Sequence, residues 1–183
     1  MSETIKREER LLKVLSIVTD WLKFAETKNA MLIGFNGASI YGIAKAVELD
    51  VIKNSSVWSG YSFFVIVLLA FSTITCLIAF VPQLNLISSG TYLGDEEPNS
   101  IFFEHLKRKT ELEIMQLICE TTDTDFARFE KDIANQIQQN SNIASKKYSY
   151  FKIAVWITMS AYITPILAGV FALYTWLQNR KRS

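Results

Sequence analysis

The sequence predicts an all-α integral membrane protein with about three transmembrane helices, an N-terminal amphipathic helix, and a cytoplasmic helical stalk or hairpin between the second and third spans. Three observations predict it. Tyr61–Val81 holds 21 residues without a charge and runs into Pro82. As a helix rising ~1.5 Å per residue it reaches about 31 Å, close to the thickness of a bilayer's hydrocarbon core. Ile153–Leu177 is a second uncharged run, of 25 residues, with a few to spare for tilt. The charged residues, 20% of the chain, gather in blocks between the apolar runs and mark those blocks as the pieces that meet water.

Residues 1–28 form the N-terminal amphipathic element. Leu11, Leu12, Leu15, Val18, Trp21, Leu22 and Ala25 recur at three and four, while Lys6, Arg7, Glu9, Arg10, Lys13, Asp20 and Lys23 fill the other face, which predicts a helix over 5–28. Such a helix packs on protein or lies on an anionic leaflet with Trp21 at the interface. Glu8, Glu9, Asp20 and Glu26 dilute its basic face and favour packing. The first twelve residues lack an early apolar region and a small-residue cleavage site, so no removable signal peptide is expected and the mature chain should start at Met1 or Ser2.

Residues 29–49 are read as the first transmembrane helix. Only Ala30–Ala44 is free of charge, but Lys28 and Lys45 can snorkel at its ends. It carries Asn36 and three glycines, at 34, 37 and 42. Small residues let helices approach closely, and an asparagine at membrane depth must face protein or a water-filled path. Interhelical bonding is the favoured role for Asn36 over pore lining. Val51–Gly60 reads as a short loop with Trp58 and Tyr61 at an aromatic belt, and 61–82 as the second span.

The block 83–151 is read as a cytoplasmic helical region. Gln83–Asn99 is a connector. A helix is expected from Pro98, Asn99 or Ser100 to about Glu120, with Phe103, Leu106, Thr110, Ile114, Leu117 and Ile118 on one face. The TTDTD run at 121–125 breaks it and places Thr or Asp to cap the next helix near Asp125. That helix carries the seam Phe126, Phe129, Ile133, Ile137, Asn140, Ala144, Tyr148 and Phe151. No Gly or Pro interrupts it before the third span, 152–177, so stalk and span are expected as one helix. Residues 178–183 are a basic tail.

With three spans, the side holding the N-terminus and residues 83–151 carries 13 Lys and Arg against five in the 45–60 loop and the tail together. That places the N-terminus and the middle block in the cytoplasm. Were 29–49 not to span, the same rule would put the middle block outside.

Enzyme chemistry finds little to stand on. His105 is the single histidine and sits on a charged helix face, where a solvated surface role is the expectation. There is no Walker loop, GxGxxG, HExxH or calcium loop. Cys76 lies in an apolar run and Cys119 in a polar segment, without a CxxC partner, so neither a disulfide nor a metal site is expected. A formal net charge of +1 gives no argument for nucleic acid as a partner. Lys107, Arg108 and Lys109 are the candidates for holding a phosphate, against the plainer reading of a solvated charge run.

Two motifs carry a resemblance. DWLKFAETKNAMLIGFNGA (20–38) and DIANQIQQNSNIASKKYSYFKIAVWI (132–157) are similar to the hallmark helix and the stalk of the Pycsar transmembrane effector family, in that order, and with the spacing of the apolar runs the likeness covers most of the chain. It implies an antiphage effector of the bacterial inner membrane, activated by cyclic CMP or cyclic UMP from a partner cyclase, needing no cofactor, and causing abortive infection. The chain has no recognisable β-roll nucleotide domain with its phosphate-binding arginine, so the resemblance implies the ligand class without its site. Apolar spans conduct nothing singly, so membrane damage requires a homo-oligomer around Asn36, Ser39, Ser72, Thr73 or Thr75. Phe129, Ile133, Ile137 and Asn140 form the candidate coupling stalk. A membrane scaffold, or an accessory subunit of a transporter or channel, stays open as the alternative.

Overall fold

The computed structural model describes residues 3–48, 56–81 and 100–182, apart from the side chains at 57 and at several positions beyond 163. The described residues form five helices and no strand: α1 (Glu3–Val47), α2 (Ser56–Ile78), α3 (Phe103–Leu106), α4 (Glu111–Cys119) and α5 (Arg128–Arg182). Three of them, α1, α2 and α5, are long and apolar enough to cross a membrane. The 83–99 connector, the 51–55 part of the loop and a helix start at Pro98 or Asn99 lie outside the described residues.

The helix expected over 5–28 and the span expected over 29–49 are one uninterrupted α-helix of 45 residues. No Gly or Pro occurs between Glu3 and Ile33. The three glycines beyond that point do not break the helix, as expected where backbone groups have only their own helix to bond to. At α2 the structure corrects the loop assignment: Ser56–Gly60 is already helical, so the helix begins more than a turn ahead of the Tyr61–Val81 run. The stalk and last apolar run share the single 55-residue helix α5, which continues through Pro165.

The helix expected from about residue 100 to Glu120 is two helices. Thr110 adopts an extended backbone (φ −71°, ψ 162°) and starts α4 with a capping box. Its N–H donates to Glu113 Oε2 at 2.7 Å, and its hydroxyl accepts from the Glu113 N–H at 3.3 Å. Satisfying two orphan donors at once outweighs continuing a helix through a β-branched residue. Helix α4 ends at Glu120, in the left-handed region at φ 53°. The Thr121 hydroxyl then accepts from the Asp123 N–H at 3.2 Å, so the TTDTD run makes a side-chain-closed turn instead of capping the next helix. Helix α5 starts at Arg128, not Asp125. Its first turn is closed by the Glu130 carboxylate, which accepts from the Ala127 N–H at 2.7 Å.

The chain divides into two units. The first comprises Met1–Lys28 and Ala79–Ser149, the second Asn29–Ile78 and Tyr150–Ser183. In the first, Leu11, Val14 and Val18 of α1 pack with Leu106, with Ile114, Met115, Ile118 and Cys119 of α4, and with Phe126, Ile133, Ala134 and Ile137. The core stripe of α1 thus runs 11, 14, 18 and 25, and Leu12, at 45% exposure, is off it. In the second unit Val65 and Leu69 of α2 pack on Ala161 of α5, with Ile40, Ile43, Tyr61, Leu68 and Tyr162 around them.

Candidate functional site

The second unit holds a polar junction at which its three apolar helices meet. Asn36 on α1 and Ser72 on α2 are wholly buried, and Thr158 on α5 nearly so. The Asn36 amide donates to the Ser72 hydroxyl at 2.9 Å. The Thr158 hydroxyl donates to Asn36 Oδ1 at 3.1 Å. Ser72 donates to the Ala154 carbonyl at 2.9 Å and lies 2.8 Å from Thr158 Oγ1. Each helix contributes one polar side chain, and each side chain bonds to the other two helices. In an apolar surround such a knot fixes which faces of the helices meet, because any other rotation strands a polar group.

Of the five positions expected along a membrane path, Asn36 and Ser72 belong to this junction. Ser39, Thr73 and Thr75 instead donate to carbonyls one turn back on their own helices, Phe35 at 2.8 Å, Leu69 at 2.9 Å and Phe71 at 2.8 Å. That bond satisfies a hydroxyl without a partner helix. Thr158 was not among the expected residues. The only signals for it were a threonine in an apolar run that also holds Thr164 and Thr175, and Asn36, which with a donor and an acceptor to satisfy needed more than one partner.

The first unit carries two ionic clusters. In one, Lys107 Nζ donates to Ser145 Oγ at 2.6 Å and stands 2.5 Å from Glu104 Oε2, while Ser145 donates to Glu104 Oε1 at 2.6 Å. Burial alone would raise the Glu104 carboxyl, but the bonds from Lys107 and Ser145, and the charges of Lys107 and Arg108, hold it below the usual glutamate range. Lys107 is therefore already neutralised. Arg108 is exposed, and the Lys109 carbonyl accepts from Gln138 Nε2 at 2.6 Å. His105 is half-buried, its ring edge-on to Phe102 at 5.5 Å, which replaces the solvated position expected of it.

In the other cluster Glu130 is wholly buried. Arg7 Nε lies 3.3 Å from its Oε1, an ion-pair contact outside hydrogen-bond geometry, and Arg7 Nη1 donates to Asp123 at 3.1 Å. Burial, then the neighbouring Glu130 charge, pushes the Cys119 thiol up, which keeps it protonated and unreactive. Of the expected stalk residues, Ile133 and Ile137 are buried, Asn140 is half-buried, and Phe129 is 53% exposed. The buried face runs through Phe126, Glu130, Ile133, Ala134 and Ile137, one position round from Phe129.

At the last turns of the first unit's share of α1 and α5, Trp21 packs on Phe103 (5.9 Å between ring centroids) and Tyr148 (6.4 Å), and Phe103 stacks on Tyr148 at 5.2 Å. Lys147 pairs with Glu26 at 2.6 Å.

No curated protein and no solved structure matches this chain. A family model described as the Pycsar effector protein domain matches residues 10–175, a stretch that takes in α1 from Arg10 onward, the polar junction, the Glu104–Lys107–Ser145 cluster, the Glu130 and Asp123 side of the other, and most of α5. The described residues form helices alone, three of them long and apolar enough to cross a membrane, in agreement with that match, and the chain belongs to the Pycsar effector protein family of antiphage defence.

Proposed function

We propose that this chain is the membrane effector of a Pycsar system: it responds to a pyrimidine cyclic mononucleotide, cyclic CMP or cyclic UMP made by a partner cyclase, by oligomerising and impairing the inner membrane, and so aborts infection. The observation that carries the proposal is the match of the Pycsar effector domain across residues 10–175. The chain acts on the bilayer and not as an enzyme. The excess of Lys and Arg in 1–28 and 83–151 supports a cytoplasmic first unit, where a cytoplasmic nucleotide would reach it.

Assembly has its own support in α1. Ala30, Gly34, Ala38 and Gly42 recur every fourth residue and are exposed, and a Cβ added at Gly34, Gly37 or Gly42 would meet nothing within 4 Å. Small residues at that spacing allow two apolar helices to approach closely. The ligand must bind the assembled state more tightly than the resting one, or it shifts nothing. The unbroken α5 carries the response from the stalk residues Ile133 and Ile137 toward Thr158. Lys107, with Arg108 and Lys109, is the candidate phosphate holder, and a nucleotide there has to displace Glu104 from Lys107.

The test is membrane potential, read with a potential-sensitive dye in cells that express the chain with a cyclase for each nucleotide in turn. Depolarisation with one pyrimidine cyclic mononucleotide and with neither purine one is expected. An inserted protein that leaves the potential unchanged with all four overturns the proposal.

A further inference from the structure

Residues 133–145 of α5 are 13 in succession without a charge, about 20 Å of helix. Elsewhere in the first unit's helices charges come more closely: over 3–28 and 100–132 the longest uncharged runs are 14–19 and 114–119, six residues each. Ile133, Ala134 and Ile137 fill that unit's core. At about 100° per residue, Asn135, Gln139 and Asn142 lie roughly 140–160° round from Ile137, at the alternating four- and three-residue spacing of a coiled-coil seam. All three are half-buried. Gln139 Nε2 donates to Asn135 Oδ1, and no other hydrogen bond among the described residues uses Asn135 Nδ2, Gln139 Oε1 or the Asn142 side-chain amide.

The absence of charge selects the partner. A face that meets water alone has no reason to exclude charge, and the outward positions of α1 do not: Glu9, Lys13, Asp20 and Lys23 are exposed there. Stalk and apolar run are one helix, so copies inserted the same way in one bilayer run their stalks in the same direction and bring identical residues level. Identical charges would then repel. A carboxamide is its own complement, with donor and acceptor in one group, and asparagine at such a seam sets the register of paired helices. Asn135 Nδ2 of each copy can donate to Gln139 Oε1 of the other, the same bond in both directions, which is an isologous contact. At the ends of the row, Lys131 of one copy can reach Asp132 of the other, and Lys146 can turn its ammonium to water.

We infer that the row of Asn135, Gln139 and Asn142 is the surface along which the stalks of neighbouring copies pair. The inference deepens the assembly step of the proposed function and rests on that reading. A seam of amides holds less tightly than an apolar one, so the pairing is reversible, as an assembly that a ligand shifts requires.

The experiment uses the full chain in inverted membrane vesicles of expressing cells, in a Cys76→Ala, Cys119→Ala background, with Gln139→Cys or Asn142→Cys added and copper phenanthroline as oxidant. It is run without nucleotide, with cyclic CMP and with cyclic UMP. Disulfide-linked dimer is expected at both positions in at least one condition, and not at Lys13→Cys on the outward side of α1. Gln139→Lys should abolish the dimer formed through Asn142→Cys, and co-expression with Gln139→Glu in the same background should restore it. Membrane potential is read separately, so a chain that pairs without depolarising keeps this inference and loses the functional one. No dimer at either position under all three conditions, in inserted protein, overturns the inference, as does equal dimer at Lys13→Cys. If Gln139→Cys is then also closed to a water-soluble maleimide, the face belongs to residues 83–99 of its own chain.

Discussion

Arg7 holds Glu130, a carboxylate with none of its side chain exposed, from a distance of 3.3 Å. The two sit on different helices 123 positions apart in sequence, and each covers the other's charge at the edge of the first unit's core. Glu130 also accepts from the Ala127 N–H, so it closes the start of α5 while neutralising α1. Removing Arg7 leaves that carboxylate buried without a counter-charge. Arg7→Ala should destabilise the first unit by about 3 kcal/mol, read as a lowered midpoint in thermal unfolding of the detergent-solubilised protein. Glu130→Gln should cost less, since an amide oxygen can still accept from Ala127.

The capping box at Thr110 predicts a smaller, sharper effect. Thr110→Ala removes the acceptor for the Glu113 N–H and should cost about 1 kcal/mol. Thr110→Ser keeps the hydroxyl and should lie within a few tenths of the unsubstituted protein. A serine variant as unstable as the alanine one would show that the threonine methyl, and not the cap, matters there.

Ser72 touches all three helices of the junction, whereas Thr158 can be removed with the Asn36–Ser72 bond intact. Ser72→Ala should therefore destabilise the second unit more than Thr158→Val, the larger loss being about 1–2 kcal/mol. Asn36→Leu should insert normally and, on the functional proposal, reduce toxicity. Unchanged killing by an inserted Asn36→Leu protein would take Asn36 out of the mechanism.

Glu104 and Glu113 both carry lowered carboxyl pKa values. For Glu104 the bonds from Lys107 and Ser145 outweigh burial, and for Glu113 the Thr110 N–H is the largest cause. A carboxyl whose folded value lies below its unfolded one stabilises the fold above the unfolded value, and that contribution is lost as pH falls through the folded one. The thermal midpoint should therefore fall in acid below the ordinary glutamate range. Glu104→Gln should sit below the unsubstituted protein at neutral pH, and the gap should narrow in acid. A gap that stays constant would assign the effect to packing.

The apolar runs were legible because their length alone exceeds what a water-soluble core needs, and the unbroken stalk because no Gly or Pro interrupts it. Local chemistry was harder to see. The capping box of Thr110 and Glu113 stands in plain sequence, but the apolar period runs straight through it, and period alone does not show where hydrogen bonding restarts a helix. On α1 and α5 a 3.6-residue period cannot choose between neighbouring faces when both are apolar. Leu12 and Phe129 turn outward while Val14 and Ala134 turn in, a choice made by the partner helices and not by their own. Thr158 was out of reach for the same reason, since its worth depends on standing opposite Asn36 and Ser72. The family resemblance on 20–38 and 132–157 was legible in the motifs themselves, and the match over residues 10–175 agrees with it.

The polar junction has more contacts than protons to fill them. Ser72 and Thr158 own one hydroxyl proton each. Ser72 spends its proton on the Ala154 carbonyl and Thr158 on Asn36 Oδ1, so their mutual 2.8 Å approach must share one of the two. The same heavy atoms thus support more than one direction of bonding at nearly equal energy. A knot of this kind is degenerate: when one hydroxyl is deleted, the remaining proton turns to a contact already within reach. Single substitutions are then partly absorbed, and removing Ser72 and Thr158 together should cost more than the two losses added, because the second deletion finds nothing left to take over.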